Sequence, residues 1–311
     1  MPILSHLLPE DYSRRFGLSS AVELQPWEDS VFRRKNLEVW IIRLDQTHPW
    51  VQGNKAWKLI RYLQEAESRP LAGFVSPGGA YSNHLAALGW LSYRLKRKSL
   101  FFIRGEEKEW AGNPLVARLR DWGNDCAGIS RTAFRDLHQG SKDWRGLNLP
   151  EGDWIYVPQG GSSEEICRGS AEGARAIARS QTEPCCLVLP VGTGGTFRGM
   201  AAGWPEGWPL VGIPVLRSGP DWRLAMLQGE RKVDQLVPGY EFGGYGKTGP
   251  ELERFRTQLL EETGIPTEAC YSAKTFFAVK DLAEKEFFRG INKILVLHSG
   301  GLFPWNTNRK A

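Results

Sequence analysis

The chain has 311 residues, of which 41% are hydrophobic and 24% charged, with a formal net charge of +5 at pH 7. This balance is typical of a globular protein with one large or two medium domains. Positive and negative residues are interspersed, which argues against nucleic acid as a partner, and no apolar run reaches the roughly 18 residues that a membrane span needs. The first residues lack a basic segment followed by a long apolar one, so we expect no signal peptide and a cytoplasmic protein.

Strand-like and helix-like segments alternate along the chain. Runs rich in β-branched and apolar residues predict strands, several of them running into turns, at 37–44, 71–79, 99–105, 125–130, 153–161, 185–196, 208–216 and 293–301. Apolar residues at helical spacing predict helices at 55–68, 82–97, 113–123, 170–181, 250–264 and 271–288. Such alternation indicates parallel sheets covered by helices. We predict a two-lobed α/β fold of open, twisted parallel sheets, with residues 55–160 as a small α/β domain and 1–54 with 161–311 as a large one.

The cysteines and histidines do not indicate a metal site. The chain has five cysteines without a Cys-x-x-Cys pair, and five histidines without a His-Glu-x-x-His motif. Cys185 and Cys186 lie in the apolar run "CCLVLP", which is typical of a buried strand. We therefore expect neither a disulfide framework nor metal catalysis.

Four glycine-bearing turns each follow a predicted strand: "QGNK", "SPGGAYSNH", "VGTGGTFRG" and "LHSGG". In an open α/β sheet, ligands bind beyond the carboxyl ends of the strands. These turns can therefore line one cleft.

The segment "VGTGGT" is the best candidate for binding a phosphate. Glycines allow backbone N–H groups to approach an anion, threonines add hydroxyl donors, and a following helix would present its positive end. The residues concerned are Gly192, Thr193, Gly194, Gly195 and Thr196. No Walker A sequence follows, and an ordinary strand-to-helix turn is the alternative interpretation.

The segment "GGAYSNH" offers a second helix start. Ser82, Asn83 and His84 could present backbone amides and polar side chains to a substrate carboxylate, and Asn83 could donate to a phenolic oxygen. Ordinary helix capping by Ser82 is the alternative, and a histidine of this kind is by default at the surface.

Two lysines follow the first glycine turn, in "WVQGNKAWKL". Lys55 is either part of a solvated helix start or a reactive amine near the strand ends, beside the phosphate loop. A partly desolvated amine has a lowered pKa and can attack a carbonyl. An aldehyde with a phosphate is pyridoxal 5'-phosphate, which stabilises carbanions at the Cα of amino acids. We expect Lys58 on the outer helix surface or paired with an acid.

The motifs in this order resemble a known family. "VWIIRLDQTHPWVQGNKAWKL", "GGAYSNH", "GNPLVARLRDWG", "VPQGGSSEEICRG", "VGTGGTFRG", "YGKTGPE", "CYSAKT" and "LHSGG" are similar to segments of the 1-aminocyclopropane-1-carboxylate (ACC) deaminase and D-cysteine desulfhydrase group. That group belongs to the tryptophan synthase β-like enzymes of fold type II, which use pyridoxal phosphate. The resemblance extends from about residue 35 to residue 303.

The resemblance implies roles for individual residues. Lys55 would form the imine with the cofactor and later move the Cα proton, and Asn83 would bond the 3'-oxygen of its ring. Ser82 and the amides of Asn83 and His84 would hold the substrate carboxylate, and residues 192–196 the phosphate. Tyr245 and Tyr271 would line the substrate side, and Ser299 would lie near the pyridine nitrogen. A small amino acid is the implied substrate, and homodimers are usual in this group.

Two departures bear on the reaction. ACC deaminases commonly carry an acidic residue directly after the tyrosine matched by Tyr271, where this chain has Ser272, and His84 resembles the desulfhydrase pattern. A carboxylate near the pyridine nitrogen strengthens the electron sink, and a hydroxyl does so less. We therefore expect an α,β-elimination of the D-cysteine desulfhydrase kind. ACC deamination and a non-catalytic, cofactor-binding regulatory role are the alternatives.

Overall fold

A computed structural model describes residues 3–5, 7–68, 70–138, 143–159, 164–216 and 234–303. Its strands are β1 (Ile3–Leu4), β2 (Val22–Pro26), β3 (Glu38–Ile42), β4 (Gly73–Gly78), β5 (Lys98–Arg104), β6 (Asp125–Ile129), β7 (Trp154–Tyr156), β8 (Cys186–Val191), β9 (Leu210–Pro214), β10 (Asp234–Leu236) and β11 (Lys293–Leu297). Its helices are α1 (Glu10–Phe16), α2 (Ser30–Arg34), α3 (Lys55–Ser68), α4 (Asn83–Leu95), α5 (Glu107–Trp110), α6 (Pro114–Asp121), α7 (Arg131–His138), α8 (Glu164–Arg179), α9 (Gly195–Gly203), α10 (Pro250–Thr263) and α11 (Ser272–Glu284). No helix within these ranges is both long and apolar enough to cross a lipid bilayer.

The larger of two sheets has seven strands in the order β1-β2-β3-β11-β8-β9-β10. Strands β3, β11, β8, β9 and β10 are parallel, and all of them except β10 were predicted, whereas β1 pairs with β2 and β2 with β3 in antiparallel fashion. The antiparallel edge was not predicted, because β1 and β2 are short segments without a marked apolar run. The central strands β8 and β9 are buried along their whole length, which explains their continuously apolar sequences.

The smaller sheet has four parallel strands in the order β6-β5-β4-β7, all drawn from the part of the chain between 73 and 156. Parallel strands covered by helices confirm the predicted α/β class. The domain boundaries at 54/55 and 160/161 stay a prediction, and the segment 160–163 lies outside the described residues.

Helix α3 packs closely on α8 and also contacts α4. Its residues Ala56, Ile60 and Leu63, predicted to share one face, are all buried. A methyl group at Gly173 of α8 would come within 2.6 Å of the Trp57 ring, and the indole of Trp57 donates to the Leu7 carbonyl at 2.9 Å. Tight packing on both sides therefore fixes the start of α3, where Lys55 lies.

Candidate active site

The structure brings Lys55 to the predicted phosphate loop. Lys55 is the first residue of α3, and its Nζ donates to Oδ1 of Asn54 at 2.6 Å. The side-chain amide of Asn54 in turn donates to Oγ1 of Thr196 at 2.7 Å. A continuous chain of hydrogen bonds thus joins the lysine to the loop between β8 and α9.

The loop itself is shaped for close approach of an anion. Gly194 is the N-cap of α9 with φ +90°, a left-handed conformation that favours glycine, and no side chain caps the helix there. No capping side chain therefore occupies the first amides of α9, as binding of an anion at this helix start requires. Opposite them, the Tyr271 ring covers Gly192, where an added Cβ would lie 3.1 Å from Cε1 of the ring.

Burial lowers the pKa of the Lys55 amine to about 8, an effect that the carboxylate of Glu268 partly opposes. A substantial fraction of this amine is therefore neutral and nucleophilic near pH 8. The solvated helix start, which was the alternative interpretation of Lys55, does not fit this environment.

The expectation that Lys58 lies on the outer helix surface was wrong. Its side chain is only 7% exposed, because α3 is covered by α8 on one side and by α4 on the other. Burial and the neighbouring Lys55 lower the pKa of Lys58 to about 7, while Cys167 opposes the shift. Cys167 donates its thiol to the Gly195 carbonyl at 3.5 Å, which places Lys58 beside the phosphate loop.

The second predicted turn begins α4, and Ser82 is its N-cap, with its Oγ accepting from the Leu85 amide at 3.3 Å. The capping interpretation is therefore confirmed, and the amides of Asn83 and His84 lie in the first turn of a long helix. The side-chain nitrogen of Asn83 would come within 2.6 Å of a Cβ at Gly301, so only glycine at 301 leaves room for this amide. Asn83, which follows a strand of the smaller sheet, thus contacts the loop after β11 of the larger sheet.

His84 is buried, not at the surface, and its imidazole lies against β4. Its Nε2 is 3.2 Å from Oγ of Ser76, whose hydroxyl donates to the Val157 carbonyl at 2.7 Å. Because the Ser76 hydroxyl already donates its hydrogen to Val157, it can only accept from His84. We infer that Nε2 of His84 carries the proton and donates to Ser76. Burial and the two lysines lower the pKa of His84 to about 3, so the ring is neutral.

Tyr245 and Tyr271 face each other edge to face, with ring centroids 6.3 Å apart. Tyr245 is 50% exposed, whereas Tyr271 is more deeply placed at the start of α11. Burial, reinforced by Tyr245, Cys270 and Glu268, raises the pKa of Tyr271 well above its ordinary value. Its phenol therefore keeps its proton and can act as a donor.

Glu268 holds the start of α11 and was not singled out in the sequence. Its carboxylate accepts from the amides of Cys270, Tyr271 and Ser272 at 2.6, 2.7 and 2.8 Å. The Ser272 hydroxyl in turn accepts from the Glu268 amide at 2.9 Å. Ser272 is fully buried. The residue after Tyr271 therefore has a hydroxyl that already bonds to the backbone at the start of α11.

The loop after β11, which includes Ser299, packs on the turn before Lys55. Oε1 of Gln52 accepts from the amides of Gly301 and Leu302 at 2.9 and 2.7 Å. At Gly53, with φ +65°, the Ser299 carbonyl occupies the space that a Cβ would need. Ser299 is buried beside the lysine turn, and Gln52 is a further site residue that its sequence context did not reveal.

These residues fit a phosphate-bearing aldehyde. The amines of Lys55 and Lys58 are neighbours, and Asn54 links Lys55 to the uncapped start of α9, so that one amine can bind covalently while the other balances a phosphate charge. Gly301 leaves space beside the Asn83 amide, as a donor to a ring oxygen requires. Among the predicted site residues, Lys55 is joined through Asn54 to Thr196, the Tyr271 ring covers Gly192, and Asn83 contacts Gly301. The Tyr245 ring packs edge to face on Tyr271, and the His84 imidazole is bonded to Ser76. The roles of these residues stay predictions.

Comparison with known proteins gives the same result. The family model described as "Pyridoxal-phosphate dependent enzyme" matches residues 28–300. A protein of Pyrococcus horikoshii provisionally named 1-aminocyclopropane-1-carboxylate deaminase is 29% identical over 90% of this chain and 91% of its own. The bifunctional D-cysteine desulfhydrase/1-aminocyclopropane-1-carboxylate deaminase of Arabidopsis thaliana is 28% identical over 85% of this chain and 72% of its own.

Solved structures agree with the sequence relatives. The crystal structure of an ACC deaminase homologue superposes with a TM-score of 0.75 and 25% identity, covering 90% of this chain and 89% of the other. Fold-type II enzymes of lower identity share the fold, among them a threonine deaminase of Solanum lycopersicum, with a TM-score of 0.61. The chain belongs to the pyridoxal-phosphate-dependent enzyme family, with the fold of type II.

Proposed function

We propose that the protein catalyses α,β-elimination on a small amino acid of the D-cysteine kind. One water molecule is consumed for each substrate, and pyruvate, hydrogen sulfide and ammonia are released. The bond between Cα and hydrogen breaks first, and the bond between Cβ and sulfur breaks next. The resulting aminoacrylate hydrolyses in water. The observation that carries this proposal is the hydrogen-bonded chain from Lys55 through Asn54 to Thr196, with a protonated Tyr271 on Gly192.

Pyridoxal phosphate, when bound, supplies an electron sink for the carbanion at the substrate Cα. Lys55 would hold the cofactor, and its neutral amine would take the Cα proton of the substrate. Its lowered pKa, about 8, leaves enough neutral amine for this transfer near neutral pH. Such general base catalysis contributes roughly 10²–10⁴-fold to a rate.

The substrate carboxylate binds at the start of α4. Ser82 and the amides of Asn83 and His84 provide donors at the positive end of a helix that runs from Asn83 to Leu95. The neutral His84 imidazole, bonded to Ser76, stabilises this turn from behind without adding a charge.

In this proposal Tyr271 donates a hydrogen bond to the leaving group. Its raised pKa keeps the phenol protonated, so that the group remains a donor. Tyr245, half exposed beside it, forms the outer wall of the substrate side.

ACC deamination is the second candidate, and the names of the sequence relatives favour it. Ring opening of ACC demands a strong electron sink, which a carboxylate at the position after Tyr271 would support. Ser272 occupies that position and is hydrogen-bonded to Glu268 at the start of α11. A serine there favours α,β-elimination over ring opening of ACC.

A substrate panel tests the proposal. The purified, cofactor-loaded enzyme is offered D-cysteine, L-cysteine and ACC, and pyruvate, sulfide and 2-oxobutanoate are measured. We expect pyruvate and sulfide in equal amounts from a cysteine enantiomer. Formation of 2-oxobutanoate from ACC alone would favour the deaminase, and bound cofactor without turnover of any amino acid would support a regulatory role. The expected homodimer stays a prediction, which light scattering on the eluted protein can check.

A further inference from the structure

Lys274 is a fully buried lysine whose ammonium is bonded to backbone carbonyls. It lies in the first turn of α11, with 0% of its side chain exposed. Its ammonium donates to the backbone carbonyls of Gly244, Glu241 and Val215 at 2.6, 2.7 and 3.3 Å. An ammonium has three N–H donors, so these three carbonyls satisfy the group completely.

The three carbonyls come from two separate parts of the chain. Glu241 and Gly244 belong to the loop that carries Tyr245, and Val215 directly follows β9. The amide of Val215 donates to the Val191 carbonyl at 3.0 Å, immediately before the phosphate loop. One ammonium therefore joins the Tyr245 loop, the end of β9 and the helix that begins at Ser272.

The Tyr245 loop has an unusual backbone at this point. Phe242, Gly243 and Gly244 have φ of +47°, +88° and +115° in succession. Left-handed conformation is unfavourable for a phenylalanine, so an interaction elsewhere must compensate for it. This conformation directs the carbonyls on either side of the turn, those of Glu241 and Gly244, towards a common point, which the Lys274 ammonium occupies.

A cage of backbone carbonyls is the arrangement with which proteins bind monovalent cations, because the oxygens replace the water around the ion. Here the cation belongs to the chain. Burial lowers the pKa of Lys274, and Cys270, Glu268 and Glu241 oppose that effect. Without the ammonium, the buried carbonyls would lose a charged donor, which is costly.

We propose that Lys274 is a positioning residue that acts as a built-in monovalent cation and holds the Tyr245 loop against α11. It thereby sets the distance between Tyr245 and Tyr271 on the substrate side. The inference rests on the proposed function only for the role of the two tyrosines, since the cage itself is defined by the geometry of the loop.

Two variants separate the charge of Lys274 from its volume. Lys274→Ala leaves a cavity that ammonium can enter, whereas Lys274→Met fills the space with a side chain that cannot donate. Lys280→Met is the matched control, since Lys280 lies in the same helix and pairs with Asp29 instead of carbonyls. Each cofactor-loaded protein is compared in ammonium chloride and in tetramethylammonium chloride, whose cation is too large for the cage.

The first measurement is hydrogen–deuterium exchange of a peptide covering 241–247, with a peptide from α10 as reference. We expect exchange in the loop to become roughly tenfold faster or more in both Lys274 variants, with α10 unchanged. Ammonium should restore slow exchange in Lys274→Ala only. Unchanged loop exchange, an equal increase throughout the chain, or equal rescue by both salts would overturn the proposal.

If Lys274→Ala fails to fold, its refolding yield is measured in the two salts. A yield that depends on ammonium supports the cage, and equal failure in both salts overturns it. The second measurement is turnover, where ammonium should restore kcat/KM for D-cysteine in Lys274→Ala and not in Lys274→Met. Should the wild type turn over no amino acid, the proposed function fails while the exchange result still decides on the cage.

Discussion

The side-chain amide of Asn54 donates to the hydroxyl of Thr196 at 2.7 Å, across 142 positions of the chain. The other end of the same side chain, Oδ1, accepts from the Lys55 amine. Asn54 therefore orients the reactive amine and the phosphate loop with one rigid amide, and a shift of either partner changes the position of the other.

Asn54→Asp should disrupt this bridge with almost no change in volume. A carboxylate can only accept, so the bond with Thr196 would have to reverse. The carboxylate also places a negative charge beside the phosphate loop and raises the pKa of the Lys55 amine. We expect the affinity for pyridoxal phosphate to fall about tenfold or more, since hydrogen bonds to charged groups contribute ~1.5–3 kcal/mol. Titration of the cofactor-free protein, followed by the visible absorption band, measures this. Asn36→Asp, at an exposed position, is the isosteric control and should bind the cofactor as the wild type does.

Lys55, and not Lys58, should carry the cofactor. Lys55 is partly exposed whereas Lys58 is buried, and Lys55 lies at the start of α3, where its amine donates to Asn54. Borohydride reduction of the loaded enzyme followed by peptide mass mapping should find the modification at position 55. Lys55→Ala should lose the visible band, and a modification found at position 58 would reassign the nucleophile.

Lys58 should make the stability of the cofactor-free protein depend on pH. Its pKa is about 7 in the folded chain and ordinary, ~10.4, in the unfolded chain, so between these values the unfolded state binds more protons. Stability should therefore rise with pH across this window, by about 1.4 kcal/mol per pH unit at most from this group. Urea unfolding at pH 7.5 and 9 measures the slope. Lys58→Met should reduce the slope, whereas the same change at the exposed Lys285 should preserve it; equal slopes in all three proteins would contradict the assignment.

Glu268→Gln should loosen the start of α11. The carboxylate accepts from three backbone amides, and an amide in its place would turn two N–H groups towards donors. We expect a loss of about 1–3 kcal/mol in the free energy of unfolding, because a buried donor left without its acceptor costs that amount. Denaturant titration measures it, with Glu261→Gln on the exposed face of α10 as control. A loss of equal size in both variants would show that Glu268 is no more important than a surface carboxylate.

Local features of the fold could be predicted from the sequence because local residues determine them. The Ser82 cap of α4, the glycine turn at 192–196 and the apolar central strands are each fixed by a few neighbouring side chains. The order of the motifs was sufficient to indicate the family. The antiparallel edge of β1 and β2 was missed because two and five residues carry too little periodicity.

The polar partners within the site could not be predicted in the same way. Lys58 was misplaced because the residues that cover it come from α8 and α4, which are distant in sequence. Gln52 accepts from an amide 249 positions away, and the carbonyls that receive Lys274 become neighbours only when the Tyr245 loop adopts its left-handed turn. Such contacts form only in the tertiary structure. From the sequence alone, each of these residues is a polar residue whose partners are unknown.

The central pairing of β3 with β11 has a consequence for how the protein forms. Ile42 lies opposite Leu297, so the first parallel strand of the large sheet finds its partner only when nearly the whole described chain is present. Pairing of such distant segments is slow, since the entropy of closing the intervening loop is lost before the contacts form. Until β11 inserts, β3 and β8 have unpaired edges and the wall beside Lys55 is missing. We therefore expect the vitamin B6 cofactor to be captured late in folding and to stabilise only a chain in which β11 is already in place.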